Sequence, residues 1–143
     1  MPRILILEDD LDFAGLLKMD LEDAGYHVEV ETSGEAALKR LSSEDFDLVI
    51  TDIHIWKEGR PSPDGGLLLT GRLRNFPALQ AEGRLVGLPI IAISGAVARP
   101  GQSQILNAAK SVGADAVLAK PFDSDEMRAL VSQLLDEREI GRR

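Results

Sequence analysis

The sequence predicts an α/β fold with a doubly wound, five-stranded parallel sheet, and three observations predict it. Five short aliphatic runs recur along the chain, at 4–7, 28–30, 48–50, 90–93 and 117–119, and segments of helical period separate them. Most of the runs are apolar throughout, the pattern of strands covered on both faces. Only "VEVE" at 28–31 alternates, which places the second strand at an edge. With right-handed crossovers the favoured order is 2-1-3-4-5. Ligands are then expected at the carboxyl ends of strands 1 and 3, where the winding reverses.

Each element follows from local pattern. "ILIL" at 4–7 runs straight into Glu8, Asp9 and Asp10. Behind it Phe13, Leu16, Leu17, Leu21 and Ala24 form one apolar helical stripe, and Gly25 stands where a C-terminal cap belongs. Thr32 followed by Glu35 reads as a capping box for a second helix through Leu41. Residues 64–75 read as a third helix ended by Pro77, and 102–112 as a fourth closed by Gly113. Asp123 with Glu126 opens a fifth, expected to run to about Arg138 with Leu130, Leu134 and Leu135 inward. The whole is a flavodoxin-like (βα)5 architecture. Residues 1–143 are expected to be one domain, with a core over about 3–138 and a frayed tail at 139–143.

Composition narrows the function. A formal charge of −8 opposes general nucleic-acid binding, which needs a basic footprint to displace counterions. The absence of cysteine excludes disulfides, thiolate metal sites and thiol nucleophiles. The longest uncharged stretch, 85–98, contains Pro89 and two glycines and falls short of a membrane span. The residues before Glu8 are too few for a signal peptide, so a cytoplasmic location is expected.

The residues just after each run form a pointed set. Strand 1 delivers Glu8 and Asp9, strand 3 Asp52, strand 4 Ser94 and strand 5 Lys120. Strands 1 and 3 are neighbours in the expected order, so three carboxylates share one crevice. At an effective dielectric near 20 and a spacing of about 5 Å, each like-charge pair costs roughly 3 kcal/mol. A divalent cation is the natural relief, and an all-oxygen site selects Mg²⁺ or a similar hard ion. Around such an ion a hydroxyl, an ammonium and a nucleophilic carboxylate form a phosphoryl-transfer set. Taken singly, each piece reads as a turn, a cap or solvated loop acids; Asp10 belongs with helix 1, whose N-terminus favours negative charge. The weight lies in all four strand ends together.

In this combination the chain resembles the receiver domain of two-component response regulators over about residues 3–138. The resemblance is carried by "ILILEDD", "DLVITD", "PIIAISG" and "GADAVLAKPF", in family order. It implies that Asp52 is the phospho-acceptor. Glu8 and Asp9 would hold Mg²⁺ with Asp52 and the backbone carbonyl of His54. Ser94 would be the switch hydroxyl, Lys120 the phosphate-pairing lysine, and Lys120–Pro121 a cis bond. The implied partners are a sensor histidine kinase or a histidine phosphotransfer protein, and an unknown downstream protein. The implied role is a phosphorelay switch rather than an enzyme, with self-catalysed phosphoryl transfer and dephosphorylation only. No nucleic-acid or membrane partner is expected, and no output domain after the fifth helix, so output would be by protein–protein contact.

Three features depart from the family pattern. "IHIWKEGRPSP" lengthens the connection after Asp52, with its prolines late, and "FPALQAEGRLVGL" lengthens the one before strand 4. Val117 stands three residues before Lys120, where the family commonly carries the Tyr or Phe of its switch. Without a ring there, the phosphorylated state is expected to be read nearer the phosphate, in 53–63, which holds Trp56, and 94–100. Two rivals remain. A metal-dependent phosphoryl-transfer enzyme on the same sheet would want "DxD" where this chain has "DIH" and leaves Lys120 and Ser94 without a role. An unphosphorylated receiver-like scaffold would not need the complete set of site residues.

Overall fold

The computed structural model of the chain describes residues 1–53, 56–57, 60–61, 87–94, 113–120 and 122–141, at 56–57, 60–61, 94 and 141 through the backbone. Each expected aliphatic run lies in a strand: β1 (Arg3–Leu7), β2 (His27–Glu31), β3 (Leu48–Asp52), β6 (Ile90–Ser94) and β7 (Ala116–Ala119). These five pair in parallel in the order β2-β1-β3-β6-β7, which is the expected 2-1-3-4-5 counted over the main strands. Between β3 and β6 a small antiparallel hairpin, β4 (Trp56–Lys57) with β5 (Arg60–Pro61), stands inside the lengthened connection.

The uniform apolarity of the central strands has its reason in two cores. Leu5, Leu7, Val49, Ile90 and Ala92 face one side, packed with Ala37 and Leu41 of α2 (Gly34–Ser43). Ile4, Ile6, Leu48, Ile50, Ile91 and Ile93 face the other, packed with Leu17 and Leu21 of α1 (Leu11–Asp23). Met127, Val131 and Leu134 of α3 (Ser124–Gly141) complete that second layer. Successive side chains of a strand point to opposite faces, so both residue sets must be apolar. β2, at the edge, carries exposed His27 and half-buried Glu29 and Glu31, as its alternation indicates.

The helices depart from expectation in phase. Leu16 is exposed; the buried line of α1 is Ala14, Leu17 and Leu21, with Phe13 at its margin. Leu16 sits one residue out of phase with a period of 3.6. α1 ends as expected: Gly25 takes φ 99°, open to glycine at little cost. For α2 the cap is Ser33 rather than Thr32, its hydroxyl accepting from the Ala36 N–H at 3.2 Å. The capping box therefore does not form, because the residue three beyond Ser33 is Ala36, which cannot reach back. α3 is helical to Gly141, so residues 139–141 are helix and not a frayed tail, and its fully buried positions are Met127 and Val131. The helices expected at 64–75 and 102–112 lie outside the described residues.

Candidate functional site at the carboxyl end of the sheet

Register brings the strand ends to one level. Leu7 pairs with Thr51, Asp52 with Ile93, and Ser94 with Ala119. Glu8 and Lys120, each one residue past its strand, therefore flank Asp52 at the same edge. Three carboxylate oxygens, one each from Glu8, Asp9 and Asp52, lie within 4.8 Å of one another. Asp10 stands apart as the N-cap of α1, accepting from the N–H groups of Asp12 and Phe13 at 3.1 Å, so its charge meets the helix dipole.

Burial and charge oppose one another here. Glu8 is fully buried and Asp52 nearly so. Lys120 answers them: its Nζ donates to Glu8 Oε1 at 2.5 Å and to Asp52 Oδ2 at 3.0 Å. The backbone N–H of Asp9 donates to the other Glu8 oxygen at 3.1 Å. One ammonium does not neutralise two buried carboxylates. Burial, followed by the hydrogen bond shared with Asp52, pushes the Glu8 carboxyl up from 4.5 to about 8, against the pull of Lys120. Burial works against the Lys120 charge too, but the hydrogen bond to Glu8 and the field of Asp52 outweigh it and hold that pKa above the ordinary lysine value. Without a metal, the Glu8 carboxyl thus keeps its proton well above the usual carboxylate range.

The oxygen-only donor set fits a hard divalent cation such as Mg²⁺. The fit has an electrostatic reason as well, since a second positive charge would release the proton that Glu8 retains. Glu8, Asp9, Asp52 and Lys120 are brought together as expected. Ser94 ends β6 beside Ala119, one residue from Lys120 in register. His54, Gly95 and Pro121 lie outside the described residues. Val117 is half-buried against the core on the α2 side.

Two features were not foreseen. Lys120 bridges the acidic pair directly, so part of the relief assigned to a cation comes from the chain itself. Phe13, expected only to fill a helix stripe, lies with its ring centroid 4.1 Å from Lys120 Nζ. An aromatic residue early in the helix that follows an acidic cluster was the one available signal.

With this geometry in place, comparison with known proteins decides the family. The family model for the response regulator receiver domain matches residues 4–132. The chain belongs to that family. Receiver domains act in two-component signalling, bind Mg²⁺ at an acidic site and interact with histidine kinases. Among curated relatives, the DNA-binding dual master transcriptional regulator RpaA of Synechocystis is 33% identical over 94% of this chain and 49% of its own length. The chain spans about half the length of the curated relatives it matches over most of its extent. A putative response regulator from Chloroflexus aurantiacus superposes with TM-score 0.77 at 30% identity, covering 95% of this chain and 99% of that one. A CheY-like receiver domain protein from Methanospirillum hungatei gives 0.75 at 26%, covering 99% and 98%. Among the described residues no helix is long and apolar enough to cross a membrane.

Proposed function

We propose that this receiver domain is a phosphorylation-dependent switch whose acceptor is Asp52. The observation that carries the reading is the placement of a nearly buried Asp52 at the end of the central strand, 3.0 Å from Lys120 and grouped with Glu8 and Asp9. An Asp52 oxygen attacks the phosphorus of a phosphohistidine on a histidine kinase or phosphotransfer protein. The P–N bond breaks, its electron pair stays on the imidazole nitrogen, and an acyl phosphate forms on Asp52. Lys120 donates to the acceptor carboxylate beforehand and is in reach of the phosphoryl oxygens afterwards. Glu8, Asp9 and Asp52, with the His54 carbonyl that the family resemblance implies, would hold Mg²⁺, which when bound supplies charge neutralisation at the phosphoryl oxygens. Ser94, as the switch hydroxyl the resemblance implies, would donate to one of those oxygens. Output is by contact with a downstream protein, in keeping with the formal charge of −8.

Acetyl phosphate with Mg²⁺ is expected to add one acid-labile phosphoryl group, measured by intact mass. Asp52→Asn abolishes it, and Asp9→Ala lowers the apparent affinity for Mg²⁺ in the same assay. Labelling that survives Asp52→Asn, or that proceeds unchanged in EDTA, overturns the assignment.

A further inference from the structure

The Lys120 ammonium is held from three sides, and only two of them are carboxylates. Glu8 and Asp52 take two of its three N–H donors. The third side is closed by the ring of Phe13, the third residue of α1, whose centroid is 4.1 Å from Nζ. That ring is braced in turn: Phe122 packs against it in a T-shaped contact, with centroids 5.9 Å apart and planes at 87°. Phe122 lies two residues beyond Lys120, so the brace and the lysine belong to one segment leaving β7. Both rings also pack against the core cluster shared by α1 and α3.

We propose that Phe13 is a positioning residue for phosphoryl transfer: its ring face fixes the Lys120 ammonium against the Glu8–Asp52 pair. The proposal rests on Asp52 being the acceptor. A lysine head group is a compact charge on a flexible four-carbon stem and does not by itself hold one place. The negative face of an aromatic ring attracts the cation without competing for the oxygens it must serve. An aliphatic side chain in the same space would fill the volume and offer no such attraction. Water there would accept the third N–H and give the stem a route toward solvent. The T-shaped contact with Phe122 holds the Phe13 ring in place beside the lysine.

The test compares wild type with Phe13→Leu, which keeps apolar bulk, and Phe13→Tyr, which keeps the ring. Phosphorylation by acetyl phosphate is followed over a range of donor and Mg²⁺ concentrations, alongside thermal melting. Phe13→Leu is expected to slow the rate at saturating donor by about fivefold, with unchanged Mg²⁺ affinity, and Phe13→Tyr to restore it to within about twofold. In the unphosphorylated protein the Lys120 ε-methylene protons, shifted by the Phe13 ring current in NMR spectra, move toward their ring-free position in Phe13→Leu and stay shifted in Phe13→Tyr. A purely structural role would lower the melting temperature and leave the saturating rate alone. A labelled wild type with Phe13→Leu reacting at the same rate overturns the positioning role and leaves Asp52 as acceptor. So does a Phe13→Tyr variant as slow as Phe13→Leu. A wild type that takes no label on Asp52 overturns both.

Discussion

Two cations in this protein each sit among several carboxylates and pull a carboxyl pKa down, yet the Glu44 carboxyl beside Arg40 ends low and the Glu8 carboxyl beside Lys120 ends high. Arg40, on α2, donates through Nε and Nη2 to both Glu44 oxygens at 2.9 and 3.1 Å, and through Nη1 to Glu29 and Glu31 at 3.3 Å. The Glu44 side chain is 35% exposed, and its hydrogen bonds from Arg40 and then Arg3 hold its pKa down at about 2. Lys120 also makes short contacts, but to a Glu8 side chain that is 0% exposed, and there the carboxyl is pushed up to about 8. Ion pairing is common to both clusters. Access to water differs, and desolvation decides the sign where it is complete. The wet cluster ties the β2 edge to α2, with the guanidinium groups of Arg3 and Arg40 lying 4.6 and 5.7 Å from the Phe46 ring centroid.

The contrast can be broken most sharply by removing each cation. Lys120→Met is expected to destabilise the metal-free protein at pH 8 by about 3 kcal/mol, the usual cost of leaving a buried charge without its partner. At pH 5 the loss is smaller, because Glu8 then carries a proton. Urea unfolding at the two pH values measures this, and equal losses would show that the dry cluster behaves like the wet one.

Next in size is the pH dependence of the wild type in EDTA. The folded pKa of Glu8, about 8, lies above its ordinary 4.5, so between these values the folded state binds more protons than the unfolded one. Stability contributed at this group therefore falls as pH rises from about 5 to 8, by at most about 1.4 kcal/mol per pH unit. Glu8→Gln should flatten that slope. Glu44 has the opposite sign, adding stability above 4.5 that is lost as pH falls toward 2. The smallest effect is expected from Arg40→Ala: about 0.5–1 kcal/mol in thermal or urea melts, shrinking further in high salt. A loss as large as that of Lys120→Met would erase the distinction between the clusters.

How much of this was legible depends on the range of the interaction. The strands were readable because each is a local aliphatic run, and the acidic and basic site residues because they stand just outside those runs. The order of the sheet followed from handedness. The phase of α1 was less readable: Leu16 and Leu17 are equally apolar, and only the position of the sheet beneath selects Leu17. Ser33 and Thr32 can both cap a helix, Ser somewhat better, and the structure places the start at Ser33. Phe13 could be read as a core residue and not as the neighbour of Lys120, because 107 positions (120 − 13) separate them. A contact of that kind exists only in three dimensions.

The same separation governs when the site can exist. Glu8 and Lys120 are 112 residues apart, Asp52 and Lys120 68, and Lys120 enters on the edge strand β7. Closing loops of that length has an entropic cost that only the docked strand recovers. A growing chain therefore carries Asp52 long before it carries Lys120, and local opening of the edge strand β7 would take Lys120 from the site. On the proposed reading, competence to take a phosphoryl group would thus report that the last strand is in place.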